Sequence, residues 1–448
     1  MITIIKFYID TDDDFLNPLV LGRIIRKFQT SALPMLEHYH NYYMGNQEIM
    51  RRANPDPATP NNRIVNNFCG SIVDTFQGYL TGIPLTYTSK EGDISNLLEI
   101  LKDNDVVNAD SEFMRDGLVS GISYQLCYIN ENNEKKFKSL DCRSVIPLYR
   151  NDLDETLVAC IYFYPLFNWK DEASPIRYAV NVYTDTEIYH FESDSSFNNM
   201  VVSAPNELHY FGEVPFAIFN LNKENVSIFD KIITLQDAYN KVLSDNVNDF
   251  ESFVESYLVL KNVIADEEDL AQMKQNRTML LDGDSDASYL TKGQNDTQVQ
   301  LLLDNLKSAI HTVSNAPDFS SEEFNQGVSS GVALSYKLVG FNNIASNVEA
   351  QFRKAVLKRI ELLNNVLSLT DTDSVDVQVD FTHNLPTNIS DTVEMVNSLR
   401  GLVSDETLIS QLPFISDVDA ELQKVADQEA QSIYQFGEAG ELNCPAKI

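Results

Sequence analysis

The sequence predicts an α+β fold, and three observations carry that prediction. Residues 15–120 and 226–369 are dominated by stretches with apolar residues at helical spacing. Between them, residues 121–220 break into short β-rich runs split by polar turns. Two long helical stretches, 226–255 and 297–316, flank a small insert of mixed pattern at 256–296.

In chain order, 15–50 reads as helical and aromatic-rich, ending in EHYHNYYMGNQEIMRR. NPDPATPNN (54–62) reads as a loop, and 60–84 as an apolar helix closed by Gly82-Ile83-Pro84. One further helix is expected over 95–120. YQLCYIN, RSVIPLYR, LVACIYFYPLF, RYAVNVYTDTEIYHFE and PFAIFNLNK then supply the strands. In 226–255 the expected apolar stripe runs through Ile228, Ile232, Leu235, Tyr239, Val242, Asn246, Phe250 and Phe253. The insert reads as a strand (256–263), a short acidic helix, and a hairpin (278–293) turning at Gly283.

The next helix places Leu302, Leu306, Ile310 and Val313 at helical spacing and stops at Ala316-Pro317-Asp318. A small-residue polar loop follows, and a long helix starts near Val332. Its later part aligns Val348, Phe352, Val356, Ile360, Leu363 and Leu367 on one face, with Arg353, Lys354, Lys358 and Arg359 crowding its middle. Residues 373–386 alternate as a strand, and 388–435 are helical and acidic.

Of 448 residues, 66 are acidic and 33 basic, a formal net charge of −33, while the apolar share, 43%, is ordinary for a globular chain. Such a chain repels nucleic acid on average and is not built to grip it. No apolar run reaches the roughly 18 residues of a membrane-spanning helix, so no membrane partner is expected. The opening MITIIKFYIDTDDD does not read as a signal peptide. Cysteines 69, 127, 142, 160 and 444 are scattered and odd in number, and they read as reduced thiols.

Motifs for chemistry are few. There is no Walker A sequence. Gly327-Val328-Ser329-Ser330-Gly331 matches G-x-S-x-G, and His383 follows, but a nucleophile elbow needs a strand before the serine, and here a helix stop and an acidic loop precede it. Asp282, Asp284 and Asp286 imitate the start of an EF-hand loop, but Ala287 and Gly293 stand where glycine and glutamate are required. His38 and His40 have no ligand partner nearby. No metal, cofactor or catalytic residue is expected.

Several segments resemble the portal proteins of tailed bacteriophages, in the branch found in long-tailed phages. The resemblance lies in HYHNYYMGNQEI, NNRIVNNFCGSIVDTFQGYLTGIPLTY, FGEVPFAIFNLNK, DKIITLQDAYNKVLSDNVNDFESFVESYLVLKN, APDFSSEEFNQGVSSGVALSYKL and DFTHNLPTNISDTVEMVNSLRGLVSDETLISQLPFISDVDAELQKV, in that order, from about 30 to 425.

The resemblance implies a homo-oligomeric ring, usually of twelve subunits, at one capsid vertex of the virion, assembled in the host cytoplasm. Double-stranded DNA passes through its channel. It also implies a portal-like architecture: a β-rich and helical wing (1–222 plus part of 340–385), long stem helices (226–255 and 297–316), a small α/β clip (256–296), a tunnel loop (317–331) and a helical crown (386–448). Terminase and, later, head–tail connector or adaptor proteins dock on the clip, where Asp266, Glu267, Glu268 and Asp269 cluster. Capsid and scaffold proteins complete the expected partners. The channel loop comprises Glu322, Glu323, Phe324, Asn325, Gln326, Gly327, Val328, Ser329 and Ser330. Lys307 and Lys337, which flank the loop in sequence, are its candidate cations. The alternatives are a cytosolic serine hydrolase using Ser329 and a non-ring scaffold or adaptor.

Overall fold

The computed structural model describes residues 6–10, 14–54, 56, 59–90, 92–170, 174–254, 257–261, 286–290, 296–320, 336–367, 376–383, 396–410, 412, 415, 418 and 421–425. The chain divides into two compact units, 1–316 with 343–384, and 317–342 with 385–448. In the second, the described residues include a short helix, Asp405–Ser410.

The first unit is mixed α and β. Strands β1 (Phe7–Ile9), β5 (Val145–Arg150), β6 (Leu157–Leu166), β7 (Arg177–Tyr183), β8 (Glu187–Asp194) and β9 (Val201–Leu208) form one six-stranded sheet in the order β1-β5-β6-β7-β8-β9. Only the β1–β5 pair is parallel; the rest is an antiparallel meander. Helix α1 (Pro18–Ser31) buries Leu21, Ile25 and Phe28 against it. Its start is set by Asn17, whose side chain accepts from the Leu19 amide at 3.0 Å, and by Pro18, which fits the first helical turn. Phe28 meets Phe163 edge-on at 6.1 Å, and Phe163 meets Phe197 at 5.7 Å.

A second, three-stranded sheet orders β10 (Phe216–Asn220), β3 (Ile122–Ile129) and β4 (Lys135–Leu140). Helix α5 (Val106–Ser120) packs on it, ending at Gly121 with φ 77°. A Cβ there would lie 2.4 Å from the Asn225 carbonyl carbon, so both the backbone turn and the close approach require glycine. Phe352 stands between Phe113 and Phe219, at 5.4 and 5.1 Å, and brings the long helix onto this sheet. A two-stranded ribbon pairs β13 (Val377–Asp380) with β2 (Thr86–Ser89), joining distant parts of the chain.

The remaining helices are α2 (Leu33–Tyr43), α3 (Phe68–Thr81), α4 (Ser95–Asp103), α6 (Ile233–Val254), α7 (Asp296–Ser314) and α8 (Val339–Leu367). Three expectations change. The helix expected over 60–84 begins only at Phe68, because the chain before it is extended along α6. The helix expected over 95–120 is two: Asn104 donates to the Lys135 carbonyl at 3.0 Å and accepts from the Phe137 amide at 3.2 Å, and Asp105 turns left-handed with φ 49°. Residues 226–232 precede α6 as a loop and a tight turn, held because Ser227 donates to the Leu118 carbonyl.

The expected strand in the insert is present as β11 (Tyr257–Lys261), which pairs antiparallel with β12 (Asp286–Leu290). Gly283, Asp282 and Asp284 lie outside the described residues. The expected stripe on α8 is buried from Val348 to Leu363. Cys69, Cys127, Cys142 and Cys160 are free and buried, as expected of reduced thiols; burial pushes the Cys127 and Cys142 thiols up to about 12. No helix among the described residues is long and apolar enough to cross a membrane.

Candidate channel and docking elements

Helices α6 and α7 pack side by side and flank the β11–β12 insert. Their buried faces differ from the expected stripes. On α7, Leu303, Ile310 and Ser314 are buried, while Leu302 and Val313 are 46% and 42% exposed. On α6, Phe250 is 66% exposed, and the buried row is polar: Gln236, Asn240 and Ser244 are all at 0%.

That polar row is a backbone seat. Asn62, Ile64, Asn66 and Phe68 present alternate amides to α6. These donate to Asn248 Oδ1 at 2.6 Å, Ser244 Oγ at 3.0 Å, Asn240 Oδ1 at 2.9 Å and Gln236 Oε1 at 3.0 Å. Gln236 also donates from Nε2 to the Asn66 carbonyl at 2.6 Å, imitating a strand neighbour. The match has a simple basis. Four helical residues advance about 6 Å and two extended residues about 6.7 Å, so side chains at i, i+4, i+8 and i+12 meet every second amide of an antiparallel segment. Buried backbone donors must be paired, and here side chains of a helix do what a neighbouring strand would do.

The seat extends to α2. Asn240 donates to Gln47 Oε1 at 2.6 Å, and Gln47 donates to Asn67 Oδ1 at 2.9 Å. Tyr39 and Tyr42 donate to Asp230 at 2.6 Å and Asp237 at 2.7 Å. Burial, with the adjoining carboxylate, raises both phenols above their ordinary value; burial also raises the Asp237 carboxyl.

Helix α8 is anchored by Arg359, which is fully buried. Its Nη1 donates to Asp110 Oδ1 at 2.6 Å and Gln125 Oε1 at 3.0 Å, and its Nη2 to the Tyr87 hydroxyl at 2.8 Å. Tyr87 donates in turn to Asp110. Burial alone would lower the guanidinium's pKa, but the Asp110 carboxylate and Tyr87 outweigh it and the net direction is up. The ring of Phe137 lies 4.5 Å from the guanidinium carbon. Two other basic residues of this helix are also engaged: Lys358 pairs with Glu213 and Glu361, and Arg353 donates to the Val379 carbonyl at 3.0 Å. Lys354 is exposed.

Of the expected channel cations, Lys307 is half-buried on α7 and Lys337 is exposed just before α8. The expected channel-loop residues 322–330, Ser329 among them, and the expected docking residues 266–269 lie outside the described residues. The exit from α7 is described: Ser314 accepts from the Ala316 amide at 3.2 Å, and the His311 ring meets the Ala316 carbonyl at 3.1 Å. His383, the other half of the hydrolase alternative, stacks on Tyr79 at 4.5 Å and bonds to Glu349. The His38 ring packs against Tyr42 at 4.5 Å. Burial, then the Arg143 charge, lowers the His40 pKa. No metal-holding group of His, Cys, Asp or Glu occurs among the described residues.

Sequence reasoning missed both anchors. A signal existed for the first: Gln236, Asn240, Ser244 and Asn248 recur every fourth residue, a polar row inside an otherwise amphipathic helix. For Arg359 there was none, since its partners are remote in sequence.

Residues 23–435 match the family described as phage portal protein, SPP1 Gp6-like. The chain is similar to the portal protein of Clostridium phage phiCD119, with 25% identity over 85% of this chain and 89% of that protein. It is also similar to the portal protein of Bacillus phage SPP1, with 22% identity over 94% of this chain and 91% of that protein.

Proposed function

The chain belongs to the SPP1 Gp6-like family of phage portal proteins and has a portal protein's function, and from that premise we propose that twelve copies close into a ring at one capsid vertex. Double-stranded DNA passes through the ring during packaging and ejection. The protein acts as a conduit and assembly platform and catalyses no reaction of its own. Helices α6 and α7 are the stem, and 256–296 the clip that receives terminase and then head–tail connector proteins. The loop 317–331 is the constriction, 386–448 the crown, and 1–222 with part of 340–385 the wing. Capsid and scaffold proteins are the remaining partners, met in the host cytoplasm.

The observation that carries this reading is the α6–α7 pair, which flanks a separate two-stranded insert and has its first helix seated along an extended segment. A conduit needs stiff walls, and the hydrogen-bonded seat supplies stiffness without any ligand. The charge fits as well. A polyanion slides where few cations face it, because each phosphate neutralised by lysine or arginine adds affinity through counterion release. A wall of net −33 chains with a few lysines such as Lys307 and Lys337 avoids that trap while repeating each lysine around the ring.

Size-exclusion chromatography with light scattering, followed by electron microscopy of the purified protein, tests the proposal. The expected result is one discrete annular particle near twelve times the 50.6 kDa chain mass. A monomer or small oligomer under all assembly conditions would overturn it.

A further inference from the structure

The end of α2, helix α5, the end of β4 and the turn after it line a cleft of about 500 Å³ in the first unit. Its walls carry titratable groups that the conduit does not use: His40 from α2, Glu112, Arg115 and Asp116 from α5, and Asp141 and Arg143 from the turn. A concave site where polar groups converge, with acid–base groups displaced from their ordinary values, is where a ligand is first sought.

Part of this set is closed. Arg143 donates from Nε to Asp141 Oδ1 at 2.9 Å and from Nη2 to Oδ2 at 2.6 Å. Burial alone would raise the Asp141 carboxyl, but these bonds outweigh it and the net direction is down. Asp116 differs. Arg115 donates to it from Nε and Nη2 at 3.3 and 3.1 Å, but both bonds land on Oδ1, and Oδ2 accepts from no described residue. Burial, with the charges of Glu112 and Asp141, raises the Asp116 carboxyl although Arg115 opposes it. Glu112, one turn earlier on α5, is exposed and forms no ion pair among the described residues. Ser139 lines the same cleft with a buried Oγ that bonds to no described residue.

The charges say what fits. The lining sets Glu112, Asp116 and Asp141 against Arg115 and Arg143. Two neighbours add to the negative side: Glu37, which faces Arg143, and Asp74, which accepts from the Tyr43 hydroxyl at 3.3 Å. Burial, then the Arg143 charge, lowers the His40 pKa, so His40 adds no cation at neutral pH. An anion would therefore meet like charge. A guanidinium binds best to a carboxylate with both oxygens open to its planar fork, and the buried carboxylate here offers one. An ammonium is a point charge whose three donors rotate, which suits single acceptors on separate side chains. Met44, Val119 and Leu140 give the cleft an apolar wall for an aliphatic stem.

We propose that this cleft binds a primary ammonium on a short aliphatic stem, the group carried by a lysine side chain or a free alkyl diamine. Asp116 Oδ2 and Glu112 are its counter-charges and Ser139 Oγ a neutral acceptor. The inference does not depend on the conduit reading, since every group it uses belongs to one subunit.

Titration of n-butylamine into the purified protein, read by saturation-transfer NMR, tests it. Butylamine should bind, n-butanol should not, and n-butylguanidine should bind more weakly. Asp116→Asn should weaken butylamine binding roughly tenfold and Glu112→Gln roughly threefold. Acid should weaken it too, by protonating Asp116 and Glu112 and charging His40, while Arg115 and Arg143 keep their charges and the paired Asp141 titrates last. Circular dichroism and light scattering show whether each variant folds and assembles; Glu112→Gln, at an exposed position, keeps the test decisive if Asp116→Asn does not fold. No butylamine binding, equal binding of butylguanidine, or undiminished binding by Glu112→Gln would each overturn the proposal. In phage heads, carbodiimide coupling of Asp116 or Glu112 to the amine beside it separates the sources: a lysine peptide identifies a protein chain, and a small added mass a free amine. Coupling at neither carboxylate would overturn the proposal. A failure of the portal reading is distinct, because it shows as a missing ring in light scattering.

Discussion

Arg359 and Asp110 form an ion pair of 2.6 Å with side chains 0% and 4% exposed, across 249 residues of sequence. It joins the middle of α8 to α5. With Tyr87 and Gln125 it satisfies three of the guanidinium's donor contacts inside the core.

Removing one partner should cost more than the pair contributes. Arg359→Met leaves Asp110 buried without its cation and should destabilise by about 3–5 kcal/mol. Arg359→Lys should recover little, because a point charge cannot reach Asp110, Gln125 and Tyr87 together. Arg359→Met combined with Asp110→Leu should recover most of the loss. Chemical denaturation of the three variants checks the order. The wild-type midpoint should respond little to added salt, since a buried pair is poorly screened.

The seat on α6 predicts a pattern in hydrogen exchange. Asn240→Ala should leave the Asn66 amide without its acceptor and destabilise by about 1–3 kcal/mol. Exchange at Asn66 should accelerate most, with Ile64 and Phe68 following as neighbouring rungs loosen. Equal acceleration along the whole of α3 would show that the helix start, and not the ladder, had failed.

The loop expected at the constriction predicts a packaging defect. Replacing Glu322 and Glu323 by lysine would put two cationic rings against the duplex. DNA should then stick, release should become steeply salt-dependent, and heads should be ring-bearing but empty or part-filled. Packaging assays at graded salt read this directly. Full-length packaging at the normal rate would move the assignment to the segment 335–343.

The clip proposed at 256–296 predicts a separation of assembly from docking. Reversing Asp266, Glu267, Glu268 and Asp269 to lysine should leave the ring's mass unchanged and weaken terminase or connector binding, chiefly through the association rate and its salt dependence. Surface-plasmon kinetics on the assembled ring measure both. Loss of the ring with partner binding intact would show that these residues belong to the subunit contact.

What the sequence made legible follows the range of the interactions involved. Strands such as Ile161–Phe163 and Val180–Val182 alternate because one face meets α1, a local pattern visible without partners. The α8 stripe is legible for the same reason. The break at Asn104 was not, because its cause is the backbone of Lys135 and Phe137. The extended segment before Phe68 carries a helical pattern in sequence, because its acceptors sit on a helix that begins over 160 residues later. In sequence Arg359 is one of a basic crowd with Arg353, Lys354 and Lys358, and only burial against Asp110 distinguishes it. Of the expected site, Lys307 and Lys337 have places in the described structure, and the loop and clip residues stand on sequence alone.

The α6 seat also has a consequence for how each subunit is made. Its rungs join residues 168 to 186 positions apart. At ribosomal speed, residues 62–68 wait on the order of ten seconds to half a minute before α6 emerges. Through that interval their amides can bond only to water, and the faces of α2 and α3 that meet α6 stay uncovered. A chain that stops before Gln236 never receives the cover. Closure of the seat thus reports that synthesis has run past Asn248, so a subunit gains its seated α6 only after more than half of it has been translated.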